Sequence, residues 1–249
     1  MFTLSDNASF SACAQQLDST LGTIFSQVRQ LVEETRELWE RVLAEGRQPA
    51  AKDLASLRPA IDRQLLATGA FGCGGGVIVE PNGLADREMH LEWWYLADGG
   101  KTLPLRPNFD QRRENYYDYT EMPWYSRPRD TGRSVVEGPY VDLYGTNLYV
   151  LTFTMPILVG GRFIGVAGLD LSLHNVERLL VRSLMRLDHE AVLLSAEGRV
   201  IAANTANWMV GELVSTRLNT LQLDQIRLTL SESETGWSLV RLPGLRSKA

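Results

Sequence analysis

Apolar residues recur through residues 8–45 in alternating steps of four and three: Phe10, Ala14, Leu17, Leu21, Ile24, Val28, Leu31, Thr35, Leu38 and Val42. A repeat averaging 3.5 residues holds one stripe on a single face of a helix, and neither strand nor loop reproduces it. The flanks are polar or charged (Gln15, Gln16, Asp18, Arg29, Glu33, Glu37, Glu40), and Gly46 with Pro49 stops the pattern. A helix of about 36 residues is about 54 Å long at 1.5 Å per residue, longer than a small domain is wide. Its stripe must be covered. It packs either against the chain's own modules or against the same helix of a second copy, and both can hold at once.

A second amphipathic helix is expected over residues 51–67, from Leu54, Leu57, Ile61, Leu65 and Leu66. The pattern then changes to strands: a Gly-rich one over 71–79 and an alternating one over 89–96. Residues 112–125 are dense in aromatics and read as a short helix and a turn. Three strands follow closely, over 135–144, 148–156 and 163–171, with turns at 144–147 and at Gly160-Gly161. Turns this short join the three into an antiparallel meander. A helix over 171–187, strands over 191–195 and 200–203, a helix near 221–230 and a strand over 236–242 repeat the theme at smaller size. The expected class is α+β: a long helix (1–48), a larger module (49–187) and a smaller one (188–249).

Composition narrows the function. Lys and Arg number 25 against 30 Asp and Glu, a net charge of −5, so the basic surface that nucleic acid requires is missing. Two cysteines and three histidines, without metal-ligand spacing, leave no basis for a zinc centre or other metal site, and no cofactor is expected. Four glycines near residue 74 resemble a phosphate loop, but no Gly-Lys-Ser/Thr follows and the run enters a strand. No stretch reaches the roughly 20 apolar residues of a membrane span. The best run, residues 149–160, contains two Thr and Pro156. The first residues show neither a basic segment nor a long apolar one, so the expectation is a cytoplasmic soluble protein without a membrane partner.

Chemistry concentrates between residues 117 and 170. Tyr140 and Asp142 are two apart on one strand and therefore share a side. Asp170 ends an otherwise apolar strand, as either a helix cap or a site residue. Aromatic faces attract an ammonium through the ring quadrupole, and a carboxylate adds a charge-assisted hydrogen bond to its N–H groups. Aromatics at strand spacing are also ordinary core. Trp93, Trp94 and Tyr95 lie on the second strand. Trp94 is expected on the pocket side because its alternation partners, Glu92 and His90, are polar. Glu121 is either a third negative group or a solvated surface acid. Catalysis by paired acids would need a carboxyl with a raised pKa and a water site, and the sequence displays neither.

Several motifs carry a resemblance: Trp124-Tyr125, Gly138-Pro139-Tyr140-Val141-Asp142, Thr152-Phe153-Thr154-Met155-Pro156, and the run from Gly161 to Leu171. Together they resemble the double Cache (PAS-like, PDC) sensor family, and the long helix with a larger and a smaller module matches that layout. The resemblance implies a ligand-binding sensor, not an enzyme, with Tyr117, Trp124 and Tyr125 as aromatic walls. Asp142 and Asp170 would hold an ammonium, Tyr140 would lie beside them, and Trp94 and Glu121 would be further candidates. In amino-acid-binding members an Arg, which grips the α-carboxylate, follows the first Tyr by five residues. Here that position is Met122. The departure implies the amine-binding branch, with a small amine as ligand, unless Arg127 or Arg129 supplies a displaced guanidinium and amino acids bind. The output would pass to a separate effector or regulator protein, with a homodimer on the N-terminal helix as a further partner. The alternative from another class is a dimeric scaffold without a ligand.

Overall fold

The heptad stripe folds as one helix, α1 (Leu4–Ala44), in a computed structural model describing residues 4–69, 71–97, 99–143, 148–218, 227–230 and 235–245. It ends where Gly46 takes a left-handed φ of 74°. Its stripe is consumed inside the chain: Leu17, Leu21, Val28, Leu31, Thr35, Leu38 and Val42 are all buried. Of the two coverings open to it, the structure supplies packing on the chain's own modules. Gln15, Ser19, Arg29, Glu33 and Glu40 face outward, so a second copy pairing along this helix would meet a polar surface.

The chain divides into two compact units, Ile24–Leu173 and Met1–Thr23 with His174–Ala249. The helix following the large sheet therefore groups with the smaller unit, whereas the sequence reading carried the larger module to residue 187. Arranged as α+β, with a long helix and two antiparallel sheets, the chain has the expected fold class.

In the larger unit the expected helix over 51–67 is split. Residues Ala51–Leu54 form α2, a 3-10 turn spans Ala55–Leu57, and α3 (Arg58–Ala67) begins afresh. Pro59, in the first turn of α3, lacks the N–H that a continuous helix would use, so it opens a helix instead. The sheet contains β1 (Gly72–Val79), β2 (Leu91–Leu96), β3 (Thr102–Pro104), β4 (Val135–Val141), β5 (Tyr149–Val159) and β6 (Arg162–Ser172). Their order is β3-β2-β1-β6-β5-β4, antiparallel throughout. The meander of β4, β5 and β6 is as expected. Gly160 and Gly161, with φ of 56° and 79°, make the two-residue turn between β5 and β6. The other turn, at 144–147, lies outside the described residues. The short β3 was not anticipated. The helix expected within 112–125 instead starts at Pro123, as α4 (Pro123–Thr131), and ends at Gly132.

Alternation sorts the central strands. Phe153 turns to one face, where its ring meets Phe25 of α1 edge-on at 5.3 Å. Thr152 and Thr154 turn to the other, which α4 and the aromatic stretch before it cover.

In the smaller unit, α5 (Leu173–Leu184) accompanies a sheet of β7 (His189–Leu194), β8 (Val200–Ala203), β9 (Arg227–Thr229) and β10 (Ser238–Leu245), ordered β8-β7-β10-β9. Its core gathers Val192, Leu194, Val200, Val214, Val240 and Leu242. Buried Asn204 ties the start of this sheet together, accepting from the Ala191 N–H and donating to the carbonyls of Leu184 and His189. Of the helix expected near 221–230, residues 221–226 lie outside the described residues. Residues 227–229 form β9, because they pair with β10 rather than coil on themselves.

Candidate ligand site

The site lies in the larger unit, on the face of the sheet opposite Phe153, and is built around Asp170. This residue is 7% exposed and lies directly across from Thr152 on β5 and Gly74 on β1. Thr152 donates its hydroxyl to Asp170 Oδ1 at 2.6 Å. With Asp170 ionised, that is the only proton Thr152 has to give, so the 2.7 Å contact between Tyr140 Oη and Thr152 Oγ1 is then a donation by Tyr140. Tyr140, Thr152 and Asp170 thus form a relay pointing at one carboxylate. A bulge between Glu137 and Tyr140 sets the end of β4. Only glycine fits at 138 in that bulge: φ is 119°, and a Cβ would fall 2.7 Å from the Val150 carbonyl oxygen.

From the other side the Trp93 indole nitrogen and the Asp170 carboxylate converge over Gly74, and the indole favours the ionised carboxyl. The indole lies over bare backbone. A Cβ on Gly74 would come within 3.0 Å of Trp93 Nε1, and one on Gly168 within 3.1 Å of its Cη2. The Gly-rich β1 is therefore a floor for a flat ring, a stricter requirement than close strand packing.

Asp170, Thr152, Tyr140, Asp142, Tyr117, Trp124 and Trp93 enclose a cavity of about 30 Å³ with Ile78, Leu91 and Leu105. Thr154 donates to the Trp124 carbonyl at 2.7 Å and so anchors the first turn of α4, which presents the Trp124 ring. Burial pushes the Asp170 carboxyl up to about 7, and the charge of Asp142 adds to the rise against the hydrogen bonds from Thr152 and Trp93. Burial likewise raises the Tyr140 hydroxyl and the Cys73 thiol, and in both the negative charge of Asp170 adds to the effect.

Five of the eight expected site residues meet here: Tyr117, Trp124, Tyr140, Asp142 and Asp170. Three do not. Tyr125 is wholly buried in the neighbouring aromatic core, with its hydroxyl on Glu80 and its ring 5.1 Å from that of Tyr119. Glu121 is exposed in the turn before α4. Trp94 faces away from the cavity, under the Arg58 guanidinium at 3.3 Å, and donates to Glu92 at 2.7 Å. The polar neighbours that argued for Trp94 are its own partners on that other face, and the cavity takes Trp93. Thr152 was named within a motif but given no role in the site, although its spacing from Thr154 in an apolar strand puts both hydroxyls on one face.

No Lys, Arg or His lines the cavity among the described residues. Met122 packs on the aromatic core as the N-cap of α4. Arg127 pairs with Glu137 at 3.1 Å, and Arg129 with Asp130 at 2.9 Å, so both guanidiniums are engaged elsewhere.

All the cavity residues lie within residues 74–178, the segment matched by the family model described as the first PDC sensor domain of methyl-accepting-chemotaxis-protein-like proteins. This segment is a PDC sensor domain. The methyl-accepting chemotaxis protein PctB of Pseudomonas aeruginosa is 31% identical over 107 residues. That match covers 43% of the present chain and 16% of the receptor, so the chain spans a small part of this relative. The solved structure of methyl-accepting chemotaxis protein X shares the fold, with a TM-score of 0.62 at 16% identity, over 96% of this chain and 97% of the other. The ligand-binding domain of the Pseudomonas fluorescens chemoreceptor CtaA, in complex with L-alanine, has a TM-score of 0.60 at 15% identity, over 94% and 95% of the two chains. The PDC domain, with the smaller sheet behind it in sequence, gives the chain the double Cache fold.

Proposed function

We propose that the chain is a ligand-sensing domain whose PDC cavity recognises a small organic amine. The observation that carries this reading is the charge of the cavity wall. A buried carboxylate and a half-buried one, Asp170 and Asp142, meet the rings of Trp93, Trp124, Tyr117 and Tyr140, with no guanidinium among them. Such a wall attracts an ammonium by hydrogen bonding and through ring faces. It repels a carboxylate, which would have only acids and hydroxyls as neighbours.

A cavity of about 30 Å³ holds roughly one water's share of volume, so the bound form is a more open one. Ligand binding selects that form, and the change at Thr152 passes through its neighbour Phe153 to Phe25 on α1. From α1 the signal goes to a separate effector protein.

Amino acids are the second reading, favoured by the L-alanine in the CtaA complex. A thermal-shift titration with butylamine, 1,4-diaminobutane, 4-aminobutyrate and alanine separates the two. An amine at about 100 times its dissociation constant adds about 2.7 kcal/mol, which raises the midpoint by about 5–10 °C in a chain of this size. A shift with amines alone supports the proposal. A shift with alanine alone replaces it with the amino-acid reading, silence leaves the scaffold, and turnover would mean an enzyme.

A further inference from the structure

Beyond the closed cavity, on the far side of Leu91, Trp93 and Leu105, the larger unit carries an open cleft of about 520 Å³. This is the volume of an ordinary small-molecule pocket, and its composition is of that kind too. Met89, Leu91, Pro104, Leu105 and Phe109 give it an apolar floor.

Its charges are unequal in what they already do. Glu92 accepts the Trp94 indole N–H at 2.7 Å and lies 3.8 Å from His90 Nε2. Arg58, against Trp94, is committed to Asp62 at 2.7 Å. Arg87 and Arg106 at the rim are different. Both are exposed, and among the described residues neither makes an ion pair or a side-chain hydrogen bond. His90 Nε2 is enclosed and lacks a hydrogen-bond partner among the described residues. The uncommitted donors at the cleft are thus the two guanidiniums, above an apolar floor, while His90 lies against Glu92.

We propose that this cleft is a second ligand site, for a small organic anion with a flat apolar body. Guanidinium groups match a carboxylate with paired N–H donors, and the floor takes a ring. Because Leu91, Trp93 and Leu105 form part of both cavities, the two sites would meet at one wall.

Calorimetric titration of the whole chain with benzoate, benzyl alcohol and benzylamine tests this, using wild type, the double variant Arg87→Gln/Arg106→Gln and Asp170→Asn. The expected result is saturable benzoate binding that the double variant weakens by about tenfold or more, the loss of charge-assisted hydrogen bonds. Benzyl alcohol should bind at least about tenfold more weakly than benzoate. Asp170→Asn should leave benzoate binding unchanged, so the second site stands or falls separately from the amine site. The proposal is overturned if benzoate does not bind, if the alcohol binds as well as the acid, or if the double variant binds benzoate like wild type. Benzoate binding that Asp170→Asn strengthens would also overturn it, by placing the anion beside that carboxyl in the closed cavity.

Discussion

The Trp93 indole nitrogen and the buried carboxylate of Asp170 converge over Gly74, where a Cβ would lie 3.0 Å from the one and 3.2 Å from the other. The contact links a ring that can face an ammonium to the acid that can neutralise it, before any ligand arrives. Without an ammonium, Asp170 has neutral neighbours in Thr152 and Trp93 and no cation among the described residues of the cavity, and its pKa rises to about 7. The site is held in a state that is costly to ionise, and a bound cation would remove that cost.

The first consequence is a pH-dependent stability of the ligand-free protein. The folded chain keeps a proton on Asp170 up to about pH 7, whereas the unfolded chain releases it near its ordinary value of 3.8. Folding therefore holds the extra proton between those values, and stability from this residue declines as pH rises from about 4 to 7, by roughly 4 kcal/mol in all. Asp170→Asn removes the effect. Denaturation midpoints of the two proteins should converge at pH 4, with the variant the more stable at pH 8. Parallel profiles across that range would show that Asp170 is not protonated in the folded chain.

Amine affinity should follow the same proton in the opposite sense. Binding an ammonium needs Asp170 ionised, so affinity should fall about tenfold per pH unit below 7 and level off above it, until the amine itself deprotonates near 10. Calorimetry at pH 6 in phosphate and in Bis-Tris should report about one proton released per amine bound, falling towards zero at pH 8. Equal heats in the two buffers at pH 6 would separate binding from Asp170.

Much of this was legible in the sequence, and what was missed has physical causes. The stripe from Phe10 to Val42 and the Gly160-Gly161 turn depend on local periodicity and backbone preference, which a sequence displays directly. Asp170 stood out as an acid ending an apolar strand, and Tyr140 with Asp142 as two residues on one side of a strand, while their roles in a site came from the resemblance. The choice between Trp93 and Trp94 depended on which face of β2 was polar, and there the rule reversed. Glu92 and His90 mark the outer cleft, while the inner face is paved with glycine, which looks apolar or merely flexible in sequence. Tyr125 was drawn into the site by its place beside Trp124. One residue along a helix is about a 100° turn, and that turn carries it into the core.

The glycine floor makes a steric prediction. In Gly74→Ala the new methyl would be 3.0 Å from Trp93 Nε1 and 3.2 Å from Asp170 Oδ2, so the ring or the carboxylate must move. The expected cost is about 1–3 kcal/mol of stability, with loss of amine binding. Gly22 on α1 is the control. A Cβ there meets nothing within 4 Å, so Gly22→Ala should be neutral or stabilising by up to about 1 kcal/mol, and leave binding intact. Denaturant melts with amine titrations would check both. A Gly74→Ala protein that binds amine like wild type would show that the indole is not held against the floor.

The helix α1 makes the last prediction, because its stripe had two possible coverings. Leu31 is 2% exposed and lies on the stripe between Val28 and Thr35, both fully buried within the chain. Leu31→Ala should therefore cost about 2–5 kcal/mol, the loss of a packed side chain plus the cavity left behind. That cost should be the same at every protein concentration, since the chain itself buries these positions. A stripe shared between two copies behaves differently: its melting midpoint rises with concentration by mass action, and the variant's deficit grows on dilution. Thermal melts of wild type and Leu31→Ala over about a hundredfold range of concentration distinguish the two. Midpoints independent of concentration would place the stripe's energy within one chain. That would leave the polar outward face, with Arg29, Glu33 and Glu40, as the part of α1 open to any partner.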